Sequence, residues 1–235
     1  MPKLVFDIET VGEDFDSLDK TTQKVLTGWI ERSSGSPEDY ARELENLKNG
    51  LGFSPYTGQI VAVGTLDVEK GQGGVYFDAP GETISEAVED GIKLRQLSEK
   101  EILQKFWDVA KEYDEFISFN GRGFDAPFLY IRSAIHGIKP TRNLMEGRYA
   151  YQQRGCRHVD LMDELTFMGA VAKRPSLHLV CRAFGIKSPK ADGITGDDVS
   201  RLFKEKKFLD IARYNVGDLR ATKAVYDYWD KYIRF

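Results

Sequence analysis

Residues 1–12 read Met1-Pro2-Lys3-Leu4-Val5-Phe6-Asp7-Ile8-Glu9-Thr10-Val11-Gly12. An apolar run, Leu4-Val5-Phe6, ends on two acids separated by Ile8, and residues 3–9 have the character of a buried β-strand. Successive side chains on a strand point to opposite faces, so Asp7 and Glu9 share one face. Two carboxylates that close repel each other, and removing them from water is costly. Bound divalent cations offset both costs, and Mg²⁺ and Mn²⁺ are hard ions that take oxygen ligands. The plainer alternative is a strand end that meets solvent with both acids exposed.

Outward from this strand, residues 12–56 read as a charged helical insertion with turn signals at Ser33–Pro37 and Asn49-Gly50. Ser36-Pro37-Glu38-Asp39 predicts a helix over about 37–48, with proline at an early position and acids in the first turn. Gln59–Leu66 is apolar and β-branched, and Gly74–Phe77 is shorter; the glycine-rich turn at 71–74 predicts a hairpin. Ser98-Glu99-Lys100-Glu101 has the pattern of a capping box ahead of an amphipathic run to about 112. Glu115–Asn120 is a further strand, a helix should run from near Asp125 to His136-Gly137, and Arg157–Leu161 is a short strand. From Ser176 onward the pattern is helical, broken between Gly185 and Gly196. Strands that alternate with helices imply a partly parallel sheet covered by helices, and the early hairpin makes it mixed.

The 235 residues fit one large domain or two small ones, and 41% hydrophobic content is ample for a core. No apolar stretch approaches the ~18 residues of a membrane span, and no signal-peptide pattern opens the chain. Cys156 and Cys181 are far apart in no ligand-like cluster, which fits reduced thiols in a cytoplasmic protein. The net charge of −4 argues against a chain that is basic throughout. Its distribution is uneven, however: residues 131–190 carry 11 basic and 4 acidic residues, leaving the rest at −11. Such a window can follow a phosphate backbone, or belong to a mixed-charge solvated surface.

Two more stretches bear chemistry. Phe119-Asn120-Gly121-Arg122-Gly123-Phe124-Asp125 places an acid between a strand end and a helix start. Aspartate is a common N-cap and needs no other role there, yet this edge is where open α/β sheets bind ligands. Tyr214-Asn215-Val216-Gly217-Asp218 sets a phenol and a carboxylate four residues apart on one helix face, with a solvated surface pair as the alternative. Taken in order, Asp7-x-Glu9, Asn120-x-x-x-Phe124-Asp125 and Tyr214-x-x-x-Asp218 resemble the three motifs of DEDDy-type 3′–5′ exonucleases. The likeness is to the standalone exonucleases related to the proofreading domain of family B DNA polymerases. The DEDDh sister group would carry histidine where Arg213 stands.

This resemblance implies a single α/β domain over residues 1–235, with a ribonuclease H-like fold and a central five-stranded mixed sheet flanked by helices. It implies that Asp7, Glu9, Asp125 and Asp218 hold two divalent ions, Mg²⁺ or Mn²⁺, and that these with Tyr214 form the catalytic set. A pair of such ions can clamp the attacking and leaving oxygens of a phosphoryl displacement. Tyrosine has an ordinary pKa of ~10, so Tyr214 is neutral at pH 7 and suits orienting a water. Thr10, Asn120 and Phe124 are candidates for touching the terminal nucleotide, Phe124 by stacking or, alternatively, only by packing below the loop. Arg148-Tyr149-Ala150-Tyr151-Gln152-Gln153-Arg154 interleaves aromatics with arginines, as a single-strand track or a plain surface loop. His158 and Asp160 read as a structural pair or as groups supporting the site, and His136 and His178 as ordinary helix residues.

The expected activity is metal-dependent 3′–5′ hydrolysis of single-stranded nucleic acid with a free 3′ end, DNA favoured, releasing nucleoside 5′-monophosphates. The alternatives are an exoribonuclease, or a non-catalytic nucleic-acid-binding module on the same fold, against which all five catalytic positions are filled. A haloacid-dehalogenase-type phosphatase also opens on a strand into acids, and Gly196-Asp197-Asp198 superficially suits its late motif. Its first motif requires Asp-x-Asp where this chain has Glu9, and Asp192–Thr195 is no convincing strand.

Overall fold

The computed structural model describes residues 1–188 and 196–234. Among them, seven strands form one mixed sheet in the order β4-β5-β3-β2-β1-β6-β7. These are β1 (Lys3–Gly12), β2 (Gly58–Asp67), β3 (Gly73–Phe77), β4 (Ala87–Glu89), β5 (Ile92–Gln96), β6 (Glu115–Ser118) and β7 (Arg157–Asp160). The expected hairpin is present, with β2 antiparallel to both β1 and β3, while β6 and β7 add in parallel beyond β1. The sheet exceeds the expected five strands by β4 and β5 at one edge, where β5 runs parallel to β3. Val88 is exposed and Lys93 and Arg95 pair with Glu86, so this edge has too few apolar residues to register as strand from pattern.

Helices cover both faces. Helix α3 (Glu99–Ala110) and helix α4 (Asp125–Ile135) lie over one face, and the 25-residue helix α8 (Phe208–Tyr232) lies over the other. With α8 pack α5 (Leu161–Leu165), α6 (Leu177–Phe184) and α7 (Val199–Lys204). The alternation of β1 divides its side chains between these layers. Leu4, Phe6 and Ile8 enter the core under α3 and α4; Val5 and Val11 enter the core under α8. Asp7 and Glu9 stand between Val5 and Val11 on that second face, beneath α8.

The insertion folds as two helices, α1 (Lys20–Ser33) and α2 (Pro37–Gly50), and a short 3₁₀ turn at Leu51–Phe53. Asp19 caps α1, and Ser36 caps α2 by accepting from the Asp39 amide, as the Ser-Pro start predicts. The insertion is fixed to the end of β1 at a backbone crossing. A Cβ on Gly12 would stand 2.7 Å from Leu51 Cβ, and one on Gly52 would stand 2.9 Å from Gly12 N. Ser98 forms the expected capping box with Glu101 at the start of α3.

One buried ion pair ties α3, α4 and β2 together. Glu99 accepts from the Ile60 amide at 2.8 Å and from Arg132 Nε and Nη2 at 2.8 and 2.7 Å, and lies 2.7 Å from His136 Nε2. Burial alone would raise the Glu99 pKa; these partners outweigh it and hold the carboxylate below its usual value. Glu99→Ala strips the partner from Arg132, whose side chain is 12% exposed. The expected loss is about 3 kcal/mol in urea unfolding; a loss below about 1 kcal/mol would show that solvent replaces the pair.

Candidate active site

The three sequence motifs converge below α8. Carboxylate oxygens of Asp7, Glu9 and Asp218 all lie within 4.8 Å of one another. Asp125 adjoins this trio but is held differently. It stands at the first position of α4, with Phe124 in the capping position, and its Oδ1 accepts from the Ile8 amide at 3.0 Å. The acid of the second motif is thus bonded to the backbone between the two acids of the first. The N-cap role that its position allows is not the one it has.

Asn215, which sequence reasoning passed over, holds the two acids of β1 in place. Its Nδ2 donates to Asp7 Oδ2 at 2.8 Å and reaches Glu9 Oε1 at 3.5 Å. Its Oδ1 is buried without a hydrogen-bond partner and faces the backbone of Gly64, where any Cβ would collide with Asn215 Oδ1 and with Leu219 Cδ1. Gly64 is the residue paired with Asp7 across the β1–β2 ladder. Its absent side chain is what allows α8 to press Asn215 onto the acids. The available signal was a lone glycine inside the β-branched run Ile60–Thr65, which marks close approach of another backbone or side chain. A register shift between Glu9 and Thr10 leaves Val61 unpaired, a bulge that bends the ladder beside the acids.

The electrostatics are those of crowded buried carboxylates. Burial raises the Asp7 pKa well above the usual range, and Asp218, Asp125 and Glu9 raise it further. Burial and Asp218 likewise raise Glu9, against the lowering effect of Asn215. Burial pushes Asp125 up to about 7, although its amide donors favour the ionised form. Asp7, Glu9 and Asp125 have no lysine or arginine partner among the described residues. Oxygen-only donors, packed together and lacking a compensating cation, fit hard divalent ions, and no histidine or cysteine belongs to the group. Tyr214 is half-buried one turn before Asp218 and hydrogen-bonds to it; burial, then Asp218, raises its pKa far above that of a free phenol.

The remaining predicted residues fall around this centre. Thr10 donates its hydroxyl to the Gly52 carbonyl at 2.7 Å and lines a cavity with Asn46, Asn49 and Phe53. Phe124 packs on Phe128 and on the exposed Phe53, with ring centroids 5.2 and 6.5 Å away. Asn120 adopts a positive φ of 65° in the loop before α4. His158 and Asp160 are structural and do not pair with each other. Buried His158 lies between Ser118 Oγ and the Leu144 carbonyl, and burial lowers its pKa to about 4. Asp160 accepts from the amides of Asn120, Arg122 and Met162, fixing the loop that delivers Asp125. Gly196–Asp198 is a 3₁₀ turn, and Asp192–Thr195 of the rival phosphatase pattern lies outside the described residues.

Residues 82–231 match the family model described as a predicted 3′–5′ exonuclease related to the exonuclease domain of PolB. The chain belongs to that family. The match encloses Asp125, Tyr214 and Asp218; Asp7 and Glu9 precede it and join them through the fold. The chain is 31% identical over 102 residues to a DNA polymerase of Methanocaldococcus jannaschii, covering 40% of this chain and 6% of that protein. It is 26% identical over 137 residues to a DNA polymerase of Desulfurococcus sp. (strain Tok), covering 53% of this chain and 17% of that one. The chain therefore spans a small part of the curated relatives it matches. The family B DNA polymerase of Pyrobaculum calidifontis superposes with a TM-score of 0.57 at 21% identity, over 97% of this chain and 24% of its own. That likeness shows the expected mixed α/β fold, here with seven strands in place of five.

The raised carboxylates set a pH dependence for the metal-free protein. A native pKa near 7 for Asp125, against ~3.9 when unfolded, means that the native state binds more protons, so stability falls as pH rises toward and through 7. His158 acts oppositely: neutral in the fold to about 4, it lowers stability as pH drops below its unfolded value of ~6.5. The two effects separate between about pH 6.5 and 8. In EDTA, Tm should rise on acidification across that interval, and Asp125→Asn should flatten the slope. A Tm that climbs with pH there would contradict the placement of these acids.

Proposed function

We propose that the chain is a metal-dependent 3′–5′ exonuclease that hydrolyses the terminal phosphodiester of single-stranded nucleic acid, DNA in preference to RNA, and releases nucleoside 5′-monophosphates. The observation that carries this reading is the meeting of Asp7, Glu9 and Asp218 below α8, with Asp125 bonded beside them. These four side chains would hold two divalent ions, Mg²⁺ or Mn²⁺. Such ions supply charge neutralisation at the reacting phosphate and a usable nucleophile at neutral pH. The preference for DNA is supported by the two relatives named as DNA polymerases.

The chain's own residues divide the rest of the work. Asn215 holds Asp7 and Glu9 in one orientation, so binding needs little rearrangement of the acids. Tyr214 keeps its proton, donates to Asp218, and leaves its oxygen lone pair to accept from a water. Water oxygen bonds to phosphorus, the bond from phosphorus to the 3′-oxygen breaks, and that oxygen takes up a proton. Thr10, Asn120 and Phe124 are the proposed contacts to the terminal nucleotide. With the Thr10 hydroxyl engaged by Gly52, the aromatic step Phe124–Phe53 is the better-placed surface for a base. We further propose that residues 1–235 act as one domain in the cytoplasm. Two buried free thiols, Cys156 and Cys181, suit a reducing compartment, and no helix among the described residues is long and apolar enough to cross a membrane.

The test is incubation with Mn²⁺ and 5′-labelled single-stranded DNA or RNA of one sequence, with an EDTA control. A ladder that shortens from the 3′ end only with metal is expected, faster on DNA; faster loss of RNA would reverse the preference, and no cleavage of either would sink the reading. Asp7→Ala should abolish the ladder with the circular dichroism spectrum unchanged, and normal turnover by this variant would refute the site. Tyr214→Phe should lower kcat by about 10-fold or more with little change in KM; a pure KM effect would mean that the phenol only binds substrate.

A further inference from the structure

The loop 144–156 is unusually well tied for a surface segment. Leu144 N donates to Tyr130 Oη at 2.6 Å, and the Leu144 carbonyl accepts from Arg122 and lies against His158. Gln152 Oε1 accepts from the amides of Arg148 and Tyr149. Gln153 bridges the Gly147 carbonyl and the His158 amide, and the Gly155 amide reaches Glu146 Oε2 at 2.7 Å. This loop presents Tyr149 and Tyr151 outward, with rings stacked at 5.8 Å and 8° between planes. They are 41% and 81% exposed. A rigid loop that spends two parallel aromatic rings on solvent has a preformed stacking surface at low entropic cost.

Its surroundings are positively charged and continuous with the candidate site. A cavity of about 240 Å³ beside the loop is lined by Asn120, Arg122, Arg148 and Arg174, with Asp160 and Asp163. The acids are occupied: Asp160 by three backbone amides, and Asp163 by Arg148 at 2.6 Å. Arg154 and Arg174 are exposed and have no ion-pair partner among the described residues. Asn120 and Arg122 belong to the loop that runs straight into Asp125, and Asp160 is the last residue of β7, so the cavity lies at the C-terminal ends of β6 and β7, the strands next in order after β1.

We propose that Tyr149, Tyr151, Arg154 and Arg174 form a track for a single nucleic-acid strand, engaging nucleotides several positions before the 3′ end. Stacked rings take bases of any sequence, and unpaired arginines take the phosphates between them. A duplex keeps its bases stacked on one another and offers no free base face to the tyrosines. The inference rests on the exonuclease reading only for its polarity, with the 3′ terminus placed at Asp125.

The test is fluorescence anisotropy in EDTA, where hydrolysis is off, with labelled oligothymidylates of about 12 and about 3 nucleotides. The Tyr149→Ala/Tyr151→Ala variant should bind the longer strand at least about 10-fold more weakly than the unmodified protein. Tyr149→Phe/Tyr151→Phe, which keeps both ring faces, should bind normally, and that rescue separates stacking from a folding defect. Arg154→Gln and Arg174→Gln should each reduce the slope of log affinity against log salt by about 0.7. Three results overturn the track: unchanged binding by the alanine variant, an equal loss on both strand lengths, or a duplex bound as tightly and with the same dependence on the tyrosines. If the strand binds through the tyrosines but the unmodified protein cleaves nothing in Mn²⁺, the track stands and the nuclease reading falls. Cleavage and strand binding that both ignore the tyrosines would do the reverse.

Discussion

The contact between Gly64 and Asn215 is the constraint on which the candidate site depends. It is a point where a helix comes down on a sheet with no side chain between them. Because nothing projects from Gly64, α8 lies low enough for the Asn215 amide to reach both Asp7 and Glu9. The same descent brings Asp218, one turn further along α8, within 4.8 Å of both. The cost is visible in the Asn215 carbonyl oxygen, which is buried without a hydrogen-bond partner. Its nearest surroundings are the Gly64 backbone, where only a weak carbon-donor contact is available. An unsatisfied buried acceptor costs roughly 1–3 kcal/mol, and in this fold that energy accompanies the precise placing of two acids.

A second tension lies in the acids themselves. Burial, Asp218, Asp125 and Glu9 all disfavour the charge of Asp7, against the single amide donor of Asn215. A core built for stability alone would put apolar side chains at positions 7 and 9, continuing the pattern of Val5 and Val11 on the same face. The surrounding frame is correspondingly strong. Three glycines, 12, 52 and 64, allow backbone approaches that a Cβ would block, and the Glu99–Arg132 pair locks the opposite face. The repulsion is thereby held in place and does not relax by local movement.

Much of this was legible in the sequence, and the parts that were not share a cause. Alternation along residues 3–12 placed Asp7 and Glu9 on one face because the strand period is two whatever the tertiary context. Capping at Ser36 and Ser98 was readable because it is a local interaction within four residues. The strands β4 and β5 escaped because their side chains are half polar: β4 pairs only with β5 across the Asp90-Gly91 turn, and β5 alone joins β3, so the apolar pattern that marks the other strands is too thin there. Asn215 and Gly64 were invisible as a pair because their meaning exists only once two segments far apart in the chain touch. Asp160 stands out beside His158 in the sequence, but its task of holding the Asn120 and Arg122 amides is likewise a relation across the sheet.

The separation of the site's halves has a consequence for how the protein comes into being. Asn215 and Asp7 are 208 residues apart in sequence and meet across the sheet. Asp7 and Glu9 leave the ribosome well before α8, which brings the third acid and the residue that orients the first two. Long-range closures of this kind are slow and follow the local structure. Without α8 the sheet face that carries Asp7 and Glu9 would lack both Asn215 and Asp218, and the two carboxylates would have no third acid beside them. The acidic cluster is therefore assembled only when α8 is in place, and the site is a product of the finished fold and of no shorter segment of it.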